Sequence, residues 1–345
     1  MASTTPLTVH VGTRSSKLAM RQAVNVVAAL EAANPGVNFV IDARETAGDR
    51  DKTTPLPNLG KGLWTTEFET RLVEGGLDLV VHCAKDMPTK LPAGCILGAI
   101  LEREDPRDAV IFPPGSPYKS IADLPEGSVV GTSSVRRSAQ LRRRYPGLAF
   151  LDLRGNIDTR LRKLDDSVNP DRDPEAPRYD CIILAAAGLK RMNLDDRISQ
   201  YLQDSTSGTL YAVGQGALAI EIREGDEQTL SLLKPISHTP TMLECWAERA
   251  VMRELEGGCS VPIGVECTWS GEDNSTLELK ATVVSLDGRQ AVESASSRPV
   301  KTAEEADALG LHVAETMVKL GAQSILDEIN KNRVPPPAIV PAPSA

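Results

Sequence analysis

Aromatic side chains are scarce: Phe, Trp and Tyr together make up 3% of the 345 residues. Surfaces that bind single-stranded nucleic acid stack bases on such rings, so this class of partner is disfavoured, and a net charge of −9 argues the same way. Six cysteines are scattered without a C-x-x-C pair, and the four histidines do not gather beside them. That pattern disfavours both a metal centre and a disulfide framework. Cys95 in AGCILGAI and Cys181 in DCIILAA lie within apolar runs, where a thiol behaves as a small hydrophobe. No apolar run approaches the length that spans a bilayer, and the start MASTTPLTVH lacks the charged-then-apolar pattern of a secretory signal. These absences set the expectation of a cytoplasmic protein without membrane contact.

Against this acidic background stands one cationic focus. Residues 131–160 hold seven arginines and two acids, a local balance of +5. Guanidinium stays charged and presents a rigid fork of donors that grips carboxylate or phosphate at two points, whereas an ammonium acts as a point charge. Arg142, Arg143 and Arg144 read equally well as a solvated helix face. Arg136, Arg137, Arg154 and Arg160 fall at strand edges or first helical turns, where the ligands of α/β sheets sit.

The length suits two or three domains. LTVHVGT predicts a first strand, and apolar Ala19, Ala23, Val26, Val27 and Leu30 predict a helix capped by Ser15 or Ser16 and ended by Pro35-Gly36. The stretch GKGLW sets Lys61 between glycines, a weak anion-binding signal because the P-loop spacing is missing. LDLVVH reads as a parallel strand buried on both faces and ends in His82-Cys83-Ala84-Lys85-Asp86. Asp86 there is an acid/base or cation-stabilising candidate, or else half of an ion pair in a turn before Pro88. EREDPRD and YAVGQGALAIEIR read as two crossings between α/β lobes, which places the ligand in the cleft between them. Residues 165–178 read as a polar surface loop. The spacing predicts an amphipathic helix over 241–256, then three strands and one long helix ending near Asn330; the tail VPPPAIVPAPSA is too rich in proline to pack. Cys259, in a Gly-Gly-Cys-Ser loop, is the one thiol with the exposure and cationic surroundings that favour reactivity.

Nine segments taken together resemble the porphobilinogen deaminase (hydroxymethylbilane synthase) family: VGTRSSKLA, GKGLW, LDLVVHCAKDMPT, EREDPRDA, GTSSVRRSAQL, LRGNIDTRLRKL, ILAAAGLKR, AVGQGALAIE and AERAVMRELEGGCSVPIG. They run in the family's order from about residue 9 to 266. The resemblance implies an α/β fold of two periplasmic-binding-protein-like lobes with a double crossover, plus a small α+β C-terminal domain. The expected division is 1–104 with 217–236 for the first lobe, 105–216 for the second, 237–330 for the third domain and 331–345 for the tail. The implied activity is deamination of porphobilinogen and head-to-tail joining of four molecules on a dipyrromethane cofactor. The resemblance makes Cys259 its thioether anchor and Asp86 the catalytic acid. Each pyrrole carries an acetate and a propionate, and the implied partners of these carboxylates are Arg14, Arg136, Arg137, Arg154, Arg160 and Arg191. Lys61, Lys85, Thr132, Ser133 and Ser134 assist them, and Gln215 belongs to the hinge. The family usually has Ser where this chain has Cys83, and often Phe where it has Trp64. No metal is implied, and a monomer acting on a small molecule is expected.

Two rivals remain at this stage. A two-lobed protein that merely closes on a dicarboxylate fits the lobes but not the third domain presenting Cys259. A nucleic-acid binder fits the arginine stretch but neither the acidity nor the few aromatics.

Overall fold

The computed structural model describes residues 7–50, 62, 64–171, 173–255 and 261–331. Lys61, Cys259 and the proline-rich tail beyond Lys331 lie outside the described residues.

The first lobe is a five-stranded sheet of β1 (Thr8–Arg14), β2 (Asn38–Arg44), β3 (Leu79–Cys83), β4 (Cys95–Ile100) and β10 (Leu218–Arg223), in the order β2-β1-β3-β10-β4. β1, β2 and β3 run parallel, while β10 is antiparallel to both of its neighbours. Helix Lys17–Ala33 packs Ala23, Val26, Val27 and Leu30 against this sheet, and Ser16 caps it by accepting from Ala19 N. The expected continuous apolar strand is therefore buried on both faces, as read, yet only one of its neighbours is parallel.

The second lobe repeats the plan with β5 (Asp108–Ile111), β6 (Val129–Gly131), β7 (Ala149–Leu151), β8 (Cys181–Ala185) and β9 (Gln200–Leu202), ordered β7-β6-β8-β5-β9. β7, β6 and β8 are parallel, and β5 is antiparallel to β8 and β9. In each lobe the strand that follows a crossing is thus the antiparallel one. Its first residue lies beside the carboxyl end of a parallel neighbour: Asp108 opposite Ala185, and Leu218 opposite Cys83. Each crossing delivers its own residues to the edge of the sheet where ligands of such folds bind.

The third unit is an antiparallel sheet of β11 (Ile263–Ser270), β12 (Thr276–Val284) and β13 (Ala291–Pro299). Helices Thr239–Glu254, Ala303–Lys319 and Ala322–Lys331 pack with it around one apolar core. The expected single long final helix is instead two, parted where Gly321 takes a φ of 100° that side chains rarely adopt. Tyr211 in the second crossing pairs with Val265 of β11, exchanging hydrogen bonds of 3.1 and 2.8 Å, so this unit docks on the connection between the lobes.

Candidate active site

A cleft of about 380 Å³ opens where the three units meet, lined from the carboxyl ends of β1, β3 and β8 and from the second crossing. Three helices of nine or more residues begin at it, Lys17–Ala33, Val135–Arg144 and Ile157–Asp165, with Ser16, Ser134 and Asn156 as their N-caps. Helix N-termini carry partial positive charge and free N–H groups, so the backbone alone makes this region receptive to anions.

The side chains add to that field. Among the described lining residues seven are cationic and two are carboxylates, so the cleft has a clear positive excess. From the first lobe come Arg14, Lys85 and Lys17; from the second, Arg136, Arg137, Arg160 and Arg191. The acids are Asp86, on the short turn Ala84–Asp86 after β3, and Asp158, whose Oδ2 accepts from Lys17 Nζ at 2.5 Å across the mouth. Burial pushes the Arg160 guanidinium down to about 10, with Arg137 and Arg154 adding like-charge repulsion. Burial also lowers Lys85, and Arg137 lowers it further against the opposing pull of Asp86. Arg191 is lowered by burial as well, and its Nη2 donates to Gly216 O at 2.6 Å. Dehydrated cations crowded together are costly unless an anion joins them.

Other arginines are already engaged. Arg14 is ion-paired with Asp49, donating through Nε at 3.0 Å, and lies 5.8 Å from the centre of the Trp64 ring. Arg136 and Arg137 are turned onto the buried Asp108. Gln215 donates through Nε2 to Pro106 O at 2.6 Å and to Asp108 Oδ1 at 2.9 Å, and its Oε1 accepts from Lys85 Nζ at 3.4 Å. Cys83 meets the Gln22 amide, with Nε2 at 3.2 Å from Sγ, and burial raises its thiol.

Some expected ligands sit elsewhere or have other work. Thr132 and Arg154 are not part of the cleft lining. Thr132 is buried and its Oγ1 accepts from Ser134 N at 3.2 Å, while Arg154, one strand end further out, acts on the cleft as a charge felt by Arg160. Ser134 Oγ caps helix Val135–Arg144, and Ser133 Oγ donates to Leu153 O at 2.8 Å, so both hydroxyls line the cleft while bracing its wall. Sequence reasoning passed over Asp49, Asp108 and Gln22. The acids stand in charged stretches that read as loops, and Gln22 stands on a helix face that reads as packing.

This chemistry fits the group that the resemblance implies. The positive excess, the crowding of half-buried cations, and a slot bounded by Leu18, Ile157, Met252 and Val261 suit flat pyrroles bearing several carboxylates. Residues 9–231 match the porphobilinogen deaminase, dipyromethane cofactor binding domain, and residues 242–319 match the porphobilinogen deaminase C-terminal domain. The chain belongs to the porphobilinogen deaminase family. Porphobilinogen deaminase of Neurospora crassa is 57% identical over 332 residues, covering 94% of this chain and 95% of that protein. The Saccharomyces cerevisiae protein of that name is 48% identical over 335 residues, covering 95% and 99%. Among solved structures, the periplasmic aliphatic sulphonate binding protein SsuA from Escherichia coli aligns over 99% of this chain and 96% of its own at 13% identity, with a TM-score of 0.40. Membership of the family brings with it the dipyrromethane cofactor.

Proposed function

We propose that the cleft between the lobes is where this chain acts as a hydroxymethylbilane synthase, a transferase of tetrapyrrole and haem biosynthesis. Its substrate is porphobilinogen, and four molecules are joined head to tail into linear hydroxymethylbilane. The observation that supports this seat is the excess of seven cations over two carboxylates in a cleft ringed by helix N-termini. When bound, dipyrromethane supplies the free α-carbon from which the chain grows and the first carboxylates by which it is held; Cys259 would be its thioether anchor.

Arg160, Arg191, Arg14 and Lys85 hold acetates and propionates, each through charge-assisted hydrogen bonds that also fix the ring orientation. Helix starts at Ser16, Ser134 and Asn156 offer backbone N–H groups to the same carboxylates. Asp86 cannot share that task, because like charges repel. Its carboxylate accepts from pyrrole N–H groups. When the substrate's aminomethyl carbon–nitrogen bond breaks and ammonia leaves with the electron pair, positive charge spreads over the ring, and Asp86 stabilises it. The same oxygen can take the proton that the attacking α-carbon sheds on rearomatisation. We further propose a monomer in the cytoplasm. Among the described residues no helix is long and apolar enough to cross a membrane.

Asp86→Asn keeps the shape and removes the charge. Single-turnover kinetics, with mass detection of enzyme carrying one, two or three added pyrroles, should show folded, adduct-bearing protein that stalls in elongation. An interaction made chiefly in the transition state lowers kcat rather than raising KM. Elongation at the wild-type rate with saturating substrate would reduce Asp86 to a binding or structural residue.

A further inference from the structure

Asp108 opens β5 where the chain enters the second lobe, and it is 1% exposed. Its Oδ2 accepts from Arg136 Nη1 at 2.7 Å. Its Oδ1 accepts from Arg137 Nε at 3.0 Å and from Gln215 Nε2 at 2.9 Å, with Arg137 Nη2 at 2.8 Å. Burial alone would raise this carboxyl, yet the Arg136 and Arg137 guanidinium groups hold it well below the usual carboxylate range. The arginines are fixed from behind as well, Arg136 Nη1 donating to Leu210 O at 2.7 Å and Arg137 Nη1 to Ile183 O at 3.0 Å. Through Gln215 the same carboxylate reaches Lys85, which neighbours Asp86 on the opposite lobe.

We propose that Asp108 is a positioning residue for the reaction. It cancels one of the two charges of Arg136 and Arg137, sets their aim, and through Gln215 holds Lys85 in register with Asp86 across the lobes. This rests on the reading of the cleft as the seat of the carboxylate-bearing chain. An elongating chain gains carboxylates with each unit, so a cleft of fixed charge must hold the early species without trapping the late ones. Removing the Asp108 charge adds one uncompensated cation. The cleft then grips every carboxylate-bearing species more tightly, the longest most of all, while Lys85 loses its fixed setting.

The test uses the full chain carrying its adduct, with Asp108→Asn beside wild type. Intact mass should show the adduct in both, porphobilinogen KM should not rise, kcat should fall about tenfold or more, and enzyme bearing added pyrroles should accumulate. Asp108→Asn combined with Arg136→Gln restores the charge count and should recover part of the lost kcat and clear the accumulated species. A purely structural Asp108 predicts the opposite, a raised KM and a further loss in the double variant, and that result overturns the proposal. If Asp108→Asn does not fold, Gln215→Leu leaves the arginine pairs intact and cuts the link from Asp108 to Lys85 together with the bond to Pro106 O. It should lower kcat with KM unchanged, and kcat within about twofold of wild type would overturn the link. Absence of any adduct from wild-type enzyme would instead undo the reading of the cleft, and so is told apart from failure of the positioning role.

Discussion

Arg160 and Arg143 carry the same guanidinium in opposite surroundings. Arg160 lines the cleft and donates through Nε to Gly155 O at 2.6 Å, whereas Arg143 is exposed near the end of helix Val135–Arg144. Losing a charge-assisted bond to a held carboxylate costs roughly 1.5–3 kcal/mol, so Arg160→Leu should lower kcat/KM by about one to two orders of magnitude. Arg143→Leu should leave kcat/KM per folded protein unchanged, and equal losses would contradict the assignment. The pH profile gives a second handle. Burial and its cationic neighbours bring Arg160 down from the usual guanidinium range to about 10, so its proton is shed as pH rises through that value and the hold on carboxylate weakens. The unliganded fold itself gains stability in that window, because the unfolded chain then binds the extra proton. The alkaline limb of kcat/KM near pH 10 should therefore disappear in Arg160→Leu. At this scale the sequence singles out arginines by their position but does not show how they are held. Arg136 and Arg137 stand out by position, yet the acid that fixes them, Asp108, sits in EREDPRDA, where it reads as part of a charged connection. The available signal was that Asp108 directly precedes the apolar run AVIF, and a charge at the start of a buried strand needs a partner.

Helix periodicity was legible because buried faces repeat at fixed spacing: Ala23, Val26, Val27 and Leu30 are all buried, as are Leu243, Ala247, Ala250 and Val251. Strand direction was not legible, since an apolar run reads the same in a parallel or antiparallel place; hence β3 was assigned parallel neighbours only, although β10 runs against it. The break at Gly321 was hidden because apolar positions continue on both sides of it, at Met317 and Ile325. Packing between helices Thr239–Glu254 and Ala303–Lys319 depends on a residue that no periodicity marks. A Cβ on Gly310 would stand 2.2 Å from Ala247 O and 2.6 Å from Ala250 Cβ, so the helices touch through the missing side chain. Gly310→Val should destabilise the protein by about 1–3 kcal/mol or more through overpacking, read as a lowered Tm by circular dichroism. A variant that melts with wild type would show that the helices do not meet there.

On the scale of the whole molecule, the third unit is locked to both crossings at once. Arg103, in the first crossing, pairs with Glu248 at 2.7 Å and with Glu244 at 3.0 Å, and donates through Nε to Gln215 O at 2.8 Å. Glu248 Oε2 also accepts from Gly214 N at 2.7 Å, so helix Thr239–Glu254 grips the two connections about which the lobes would move. The double crossing could be read from two charged or glycine-rich stretches between apolar runs, but this clasp could not, because its partners lie far apart in sequence. The segment that follows this helix in sequence carries Cys259, the proposed anchor of the cofactor. The intact mass of the purified protein, followed by peptide mapping of Cys259→Ser beside wild type, tests this account most directly. Wild type should carry a dipyrromethane-sized addition on the peptide containing Cys259, and the variant should have the bare polypeptide mass and no turnover. Wild-type protein at bare mass with full activity, or an active Cys259→Ser variant, would contradict it.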